Sequence, residues 1–271
     1  MRLTSPTEVR ALLQQMDFKP SRVLGQNFLI DGNILRIMIE AAALKPDDHV
    51  LEVGPGLGVL TAPLLEQSAR VTAIEKDDRL YAYLRGALVA PNLDLRHADA
   101  LDVDLHGLLA GGVNKVVANL PYSVGSRVLV ELVHSAARPE CLVVTVQLEV
   151  AERLAARPDT NDYGLLSIYA QLDYDVTVVK RISRTCFWPA PQVASAVVKL
   201  ARRPHREVPL RDELQFRHLV KTCFSHRRKQ LGSLVRDHAA LQRAGLQPAQ
   251  RPETVAVSGW CRLANELADA G

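Results

Sequence analysis

The 271-residue chain is long enough for one large domain and a smaller one, and 48% hydrophobic with 23% charged residues is typical of a globular protein. It has no run of about 18 apolar residues, as a membrane span would need, and its start lacks a basic and then apolar leader, so we expect a cytoplasmic protein. Four widely separated cysteines give no sign of a disulfide framework or a zinc site, and no metal is predicted.

Short apolar runs alternate with helical segments through the first half of the chain. A helix is predicted at 32–44, where Asp31 can cap its first turn. Valine-rich runs predict strands that are covered on both faces, at 49–53, 70–74, 115–119 and 141–147, and 93–96 is a further, weaker strand candidate. Helices are predicted between and after them, at 57–67, 77–90, 126–137 and 148–157. This alternation predicts an α/β fold whose parallel sheet binds ligands at the carboxyl ends of its strands.

Two later apolar runs, 174–182 and 194–200, have no clear helix between them and predict a hairpin that closes one edge of the sheet. Prolines at 204 and 209 mark a change to a basic, helical pattern. We therefore predict a catalytic domain over 1–205 and a small helical domain over 206–271.

Positive charge is concentrated in the second of these domains. Residues 202–243 contain eleven Lys or Arg and four acids, a net charge of +7, while the whole chain carries +3. A basic block of this kind is expected in a protein that binds a partner rich in phosphate, because neutralising the phosphates releases condensed counterions. A solvated helix face is the alternative that charge alone leaves open.

A glycine-rich turn follows the first long strand, with glycines at Gly54, Gly56 and Gly58. Glycine allows a sharp turn and a close approach of a ligand to the main chain. Glu75 ends the next strand, where a carboxylate can accept hydrogen bonds from both hydroxyls of a ribose. The pair fits a nicotinamide enzyme or a methyltransferase, although the G-x-G-x-G spacing departs from the dinucleotide pattern.

Polar groups suited to an amino substrate end the next strands. Asp99 is placed to accept a hydrogen bond from the amino group of a bound adenine nucleoside. Asn119-Leu120-Pro121-Tyr122 offers a side-chain oxygen and a backbone carbonyl, from Leu120 or Pro121, for both N–H bonds of an aromatic amine. Such acceptors favour loss of planarity at the amino nitrogen, and they stabilise the positive charge that develops on this nitrogen when it attacks. Tyr122 offers a face on which an extruded base can stack.

The order of these motifs resembles the ribosomal RNA adenine dimethyltransferases. Further matches lie at 25–29, 147–154, 187–198 and 224–231, so the resemblance covers about residues 21 to 235. It implies a Rossmann-like methyltransferase fold, a mostly parallel seven-stranded sheet with helices on both faces plus a small C-terminal helical domain. It also implies S-adenosylmethionine as cofactor. The residues it implies at the cofactor or its reacting end are Asn27, Leu29, Gly54, Glu75, Asp99 and Asn119, to which the glycine turn adds Gly56.

The resemblance further implies that Tyr122 and Phe187 sandwich the target base. The segment Phe224-Ser225-His226-Arg227-Arg228-Lys229 resembles the enzymes that dimethylate two adjacent adenines near the end of small-subunit ribosomal RNA. We accordingly predict RNA binding by Arg227, Arg228 and Lys229, with the small-subunit precursor as partner and the chain acting as a monomer.

Departures from the family lie around the target base. The chain has Ser123 to Arg127 where Asn or His and then Ile-Ser-[Thr/Ser]-Pro are usual, and Gln192 and Ala194 where Lys and Asp are usual. These changes leave the cofactor assignment intact but bear on the RNA site and the number of methyl groups. The alternatives are a large-subunit (23S) adenine methyltransferase of the macrolide-resistance type and a non-catalytic ribosome assembly or RNA-binding factor.

Overall fold

The computed structural model describes residues 3–21 and 23–268. Its strands are β1 (Phe28–Leu29), β2 (His49–Val53), β3 (Arg70–Glu75), β4 (Leu93–His97), β5 (Lys115–Asn119), β6 (Cys141–Gln147), β7 (Tyr174–Ile182), β8 (Phe187–Trp188) and β9 (Ser195–Arg202). Its helices are α1 (Pro6–Gln15), α2 (Gly32–Ala42), α3 (Thr61–Gln67), α4 (Asp78–Ala87), α5 (Leu105–Ala110), α6 (Gly125–His134), α7 (Leu148–Leu154), α8 (Leu165–Asp173), α9 (Glu213–Ser225), α10 (Leu231–Leu234), α11 (His238–Arg243) and α12 (Val257–Ala268).

Seven strands form one sheet in the order β4-β3-β2-β5-β6-β9-β7. The strands from β4 to β6 pair in parallel, and β9 lies antiparallel to β6. The interior strands β5 and β6 are buried along most of their length, because helices cover both faces of a parallel sheet. The predicted α/β sheet of seven mostly parallel strands is confirmed.

Helix α2 shows how the sequence sets a local boundary. Asp31 accepts hydrogen bonds from the N–H groups of Asn33 and Ile34 and so caps the first turn, as predicted. The helix ends at Ala42, two residues before the predicted end, because Ala43 adopts a left-handed conformation with φ 46°. Ile34 and Met38 on one face of the helix pack into the core beside the sheet.

The part of the chain around the sheet also contains elements that the sequence patterns did not predict. Helix α1 buries Val9, Leu12 and Leu13 in a small cluster with Phe28. The predicted hairpin is interrupted by a 3₁₀ turn at Arg184–Cys186 and by β8, which pairs with β1. Its two long strands, β7 and β9, are neighbours at the edge of the sheet.

The compact units divide the chain differently from the predicted boundary at 205. One unit contains residues 1–151 and 176–202, and the other contains 152–175 and 203–271. Residues 152–175 join the second unit because Tyr163, Ile168 and Leu172 are buried in the same core as Phe216 and Trp260. The Tyr163 hydroxyl also donates a 2.9 Å hydrogen bond to the Val255 carbonyl. Among the described residues, no helix combines the length and the hydropathy that a membrane span requires.

A buried lysine ties the end of α2 to the sheet. Lys115 Nζ lies 2.8 Å from Asp48 Oδ2 and donates to the carbonyls of Ala42, at 3.0 Å, and Ala43. Burial alone would raise the pKa of Asp48, but hydrogen bonds, the largest from Lys115, lower it below its usual value. The carboxylate is therefore ionised where it meets the lysine, and the pair stabilises the fold above about pH 4.

We expect Lys115→Met to lower the free energy of unfolding by about 3–5 kcal/mol at pH 7, because it leaves Asp48 buried without its partner charge. The loss should shrink as pH falls below about 4, because the unfolded chain then takes up a proton at Asp48 and the wild type loses the stability that the ionised pair provides. Urea unfolding over this pH range measures both effects. Arg36→Met is the control, since its ion pair with Glu40 is exposed and worth about 1 kcal/mol or less. Equal losses in the two variants would contradict the prediction.

Candidate active site

A cavity of about 220 Å³ lies at the carboxyl ends of the parallel strands of the seven-stranded sheet. The ends of β2, β3 and β5, the residues after β4 and the loop before β1 form its walls. Every residue predicted to contact a cofactor lines this cavity: Asn27, Leu29, Gly54, Gly56, Glu75, Asp99 and Asn119. Leu120, Pro121 and Tyr122 line it as well.

The glycine turn after β2 packs directly against the loop after β5. Gly54 has φ +71°, and a Cβ atom there would lie 2.9 Å from Cγ of Pro121. A side chain at this position would therefore push the two loops apart, in addition to straining the backbone. The turn and the Asn119–Tyr122 segment can be in contact because Gly54 has no side chain.

Glu75 ends β3 at the wall of the cavity, with both carboxylate oxygens already oriented. Its Oε2 accepts the N–H of Gly56 at 3.0 Å, and its Oε1 accepts the N–H of Asp77 at 2.9 Å. Burial raises the pKa of Glu75, and the two backbone hydrogen bonds oppose that rise. Each oxygen keeps a further lone pair, so the carboxylate can accept hydrogen bonds from two hydroxyl groups of one ligand.

Asp99 lies at the same cavity and forms an ion pair that the sequence reasoning missed. Its Oδ2 is 2.6 Å from Nζ of Lys76, and its Oδ1 accepts the N–H of Leu101 at 3.0 Å. The hydrogen bond from Lys76 lowers the pKa of Asp99, which favours the ionised acceptor. Lys76 directly follows Glu75 at the end of β3, next to β4, and this adjacency of parallel strands is the signal that could have revealed the pair.

Asn119 combines a satisfied donor with an unsatisfied acceptor. Its Nδ2 donates to the Asn27 carbonyl at 2.9 Å. Its Oδ1 is buried and, within the described part of the chain, has no hydrogen-bond partner. Leaving a buried acceptor unpaired costs about 1–3 kcal/mol, and such a group in a cavity wall is suited to a ligand that brings an N–H donor.

The backbone acceptors beside Asn119 differ in availability. The Pro121 carbonyl accepts the N–H groups of Val124, at 3.1 Å, and Gly125, at 2.8 Å, where α6 begins. It is therefore engaged in starting the helix. Of the two carbonyls that the sequence left open, the Leu120 carbonyl is the one without this engagement.

Tyr122 and Phe187 are in contact, but with a different geometry from the predicted sandwich. Their ring centroids are 6.5 Å apart and their planes meet at 70°, an edge-to-face contact. Phe187 is only 2% exposed and pairs with Leu29 in the β1–β8 ladder. The Tyr122 hydroxyl is hydrogen-bonded to the Ser195 hydroxyl. A parallel sandwich of a base between the two rings would require Phe187 to turn.

Glu52 is a buried acid of this region to which the sequence reasoning gave no role. It lines the cavity, is 1% exposed, and its Oε2 has no hydrogen-bond partner among the described residues. Burial, with a further contribution from the charge of nearby Glu75, raises the pKa of Glu52 to about 8. The side chain is therefore mainly a neutral acid at pH 7.

The predicted RNA-binding residues belong to the other unit and follow α9. Arg227 donates to the carbonyls of Asn161, at 3.0 Å, and Thr160, at 3.2 Å, and so braces a loop of its own unit. Arg228 and Lys229 are exposed. RNA binding by these residues stays a prediction.

Sequence comparison places the chain among ribosomal RNA methyltransferases. The profile described as ribosomal RNA adenine dimethylase matches residues 18–269. A ribosomal RNA small subunit methyltransferase A from Opitutus terrae is 39% identical over 96% of this chain and 97% of that protein. One of the same name from Deinococcus radiodurans is 42% identical over 98% of this chain and 91% of that protein.

Two solved structures are similar over most of the chain. A dimethyladenosine transferase from Plasmodium falciparum is 25% identical, with a TM-score of 0.76, over 86% of this chain and 94% of that one. The 23S rRNA methyltransferase ErmE is 29% identical, with a TM-score of 0.67, over 88% of this chain and 97% of that one.

We expect the buried acid at Glu52 to make the fold less stable as pH rises from about 5 to 8. In this range the folded state keeps a proton that the unfolded chain, with its ordinary pKa of 4.5, has lost. The free energy of unfolding should fall by about 1 kcal/mol per pH unit, and Glu52→Gln should remove that slope. Urea unfolding at several pH values measures it. Glu40→Gln, at an exposed position, should keep the wild-type slope, and parallel curves for Glu52→Gln and wild type would refute the prediction.

Proposed function

The chain belongs to the ribosomal RNA adenine dimethylase family, and we propose on that basis that it dimethylates two adjacent adenines near the 3′ end of 16S rRNA, at N6, during ribosome biogenesis. The donor we propose is S-adenosylmethionine. Near full-length relatives named for the small subunit support this RNA over the large-subunit RNA. The likeness to ErmE makes 23S rRNA the second candidate. The observation that carries the proposal is the buried Oδ1 of Asn119 in the cavity wall, which has no hydrogen-bond partner among the residues that the structure describes.

The residues of the cavity suit S-adenosylmethionine, which when bound supplies a methyl group activated by a sulfonium. Glu75 presents two oriented oxygens for the hydroxyls of a ribose. Asp99, held ionised by Lys76, can accept from the amino group of a purine. Gly54 and Gly56, both at positive φ, let the turn bend sharply beside the cavity and pack closely against Pro121 and Phe28.

Asn119 and Leu120 are the acceptors that we propose for the target amine. An adenine amino group is conjugated with its ring, so its lone pair becomes available only when the nitrogen loses planarity. The Asn119 Oδ1 and the Leu120 carbonyl would each accept one N–H bond and stabilise the positive charge that develops on the nitrogen. The product ammonium is acidic and can lose its proton to water, so no general base is needed before attack.

We propose that Tyr122 holds the target base by stacking, which is worth about 1–3 kcal/mol for bases on aromatic side chains. Phe187 would close the second side only after turning from its edge-on position. Arg228 and Lys229 are proposed to contact RNA phosphates, with Arg227 tying their segment to the carbonyls of Thr160 and Asn161. The chain is further proposed to act in the cytoplasm as a monomer on a precursor of the small ribosomal subunit.

We expect Glu75→Gln to weaken S-adenosylmethionine binding by about 10- to 100-fold. The amide loses the charge of the acceptor, and hydrogen bonds to charged groups contribute about 1.5–3 kcal/mol. Isothermal titration calorimetry with S-adenosylmethionine measures the dissociation constant. Glu66→Gln, on an exposed face of α3, is the matched control and should bind as the wild type does. Equal affinities of the two variants would argue against a ribose site at Glu75.

We expect Asn119→Ala to lower the rate of methyl transfer by about 10²- to 10³-fold, as for loss of one pre-oriented transition-state contact. Affinity for S-adenosylmethionine should stay within several-fold, because Glu75 and the glycine turn remain. The assay follows tritium from labelled S-adenosylmethionine into small subunits that lack the modification. Asn33→Ala, an exposed change on α2, should leave the rate unchanged.

Mass spectrometric mapping of the labelled RNA tests the substrate. The proposal predicts dimethyladenosine at two adjacent positions near the 3′ end of 16S rRNA. Label in 23S rRNA alone would support the second candidate. RNA binding without any transfer by the wild type would instead indicate a non-catalytic assembly or RNA-binding factor.

A further inference from the structure

Ser195 is a buried polar residue whose side chain reaches the candidate active site from a distant part of the sequence. It is the first residue of β9, is 0% exposed, and lies opposite Gln147 of β6. Its hydroxyl is hydrogen-bonded to the hydroxyl of Tyr122, 73 residues away in sequence. We propose that Ser195 is a positioning residue that fixes the Tyr122 ring as the stacking surface for the target adenine; this rests on the proposed function.

The surroundings of Tyr122 explain why the ring needs an anchor at its hydroxyl. Tyr122 lies in the loop between β5 and α6, outside regular secondary structure. At the other end of the residue, its backbone N–H lies beside Gly25, where a Cβ atom would come within 2.9 Å. The main chain is therefore confined, but the ring itself could still rotate about its side-chain torsions. A hydrogen bond at the far end of the ring fixes χ1, and with it the direction in which the ring axis points.

Phe187 limits the ring from the side rather than from its face. The edge-to-face contact at 70° leaves Tyr122 without a parallel aromatic neighbour in this pair. Phe187 is held in the core through its pairing with Leu29. Phe187 thus limits rotation of the ring about its axis, while the direction of that axis, and so the position of the stacking face, depends on the Ser195 hydroxyl.

Because Ser195 is buried, losing the hydrogen bond between Tyr122 and Ser195 carries an energetic cost. Burial raises the pKa of Tyr122, and the hydrogen bond with Ser195 opposes that rise, so the phenol stays protonated at neutral pH. Removing either hydroxyl leaves the other without its observed partner in a region that is largely closed to water. Because the amine of a stacked base must meet both Asn119 and the methyl donor, a tilt of the ring would displace the reacting nitrogen. Displacements of about 1 Å can cost about 10²-fold in rate.

Ser195→Ala should accordingly lower the single-turnover rate of methyl transfer by about 10- to 100-fold, with S-adenosylmethionine affinity within two-fold of wild type. Tyr122→Phe, which keeps the ring but removes its hydroxyl, should lose a similar factor. The double variant should be no slower than the slower single variant, because both changes remove the same hydrogen bond. The assay uses the full chain and small subunits that lack the modification.

Ser68→Ala provides the matched control for losing a buried serine hydroxyl. Ser68 is 8% exposed, donates to the Leu64 carbonyl at 2.6 Å, and lies before β3, away from the cavity. It should lose stability in thermal unfolding without losing transfer rate. If Ser195→Ala does not fold, the inference still stands or falls with Tyr122→Phe.

The possible failures are distinguishable. A wild-type chain that transfers no methyl group to RNA would contradict the proposed function. An active wild type with Ser195→Ala or Tyr122→Phe within two-fold of its rate would overturn the positioning role alone. Independent, multiplicative losses in the double variant would overturn it too, since they would show that the two hydroxyls act separately.

Discussion

The hydrogen bond from the Asn119 amide to the Asn27 carbonyl is the interaction on which the candidate site depends. It joins the end of a central strand to the loop before β1 and fixes the orientation of the side-chain amide. Because Nδ2 is used in this way, Oδ1 must be the atom that remains as an acceptor. One contact thus connects the cofactor side of the cavity with the proposed chemistry of the amine.

The parts that sequence reasoning predicted well are those whose physics is local. Strands β2, β5 and β6 were placed with their observed bounds because a buried strand needs an unbroken apolar run. The positions of the glycine turn and of Glu75 could be predicted because each lies at the end of a predicted strand. The residues predicted to contact the cofactor all line one cavity. Helix α3 begins four residues later than predicted because the glycine-containing turn extends through Leu60.

The parts that were missed depend on contacts between distant segments. Nothing near Phe187 indicates that β8 pairs with β1 and holds the ring in the core. Arg227 belongs to a basic cluster by sequence, yet its guanidinium braces the loop at 160–161. The high pKa of Glu52 likewise arises from burial, which a carboxylate in a strand pattern does not reveal. Such roles become visible only when the fold brings the partners together.

The interleaving of the two compact units has a consequence for how the chain can be divided. The chain leaves the first unit after residue 151, returns at 176, and leaves again after 202. A fragment that ends at 205 would carry 152–175 without the helices that bury Tyr163, Ile168 and Leu172. Its apolar side chains would face water, which favours aggregation. On the ribosome, the same order means that these residues wait for most of the C-terminal sequence before their core can form.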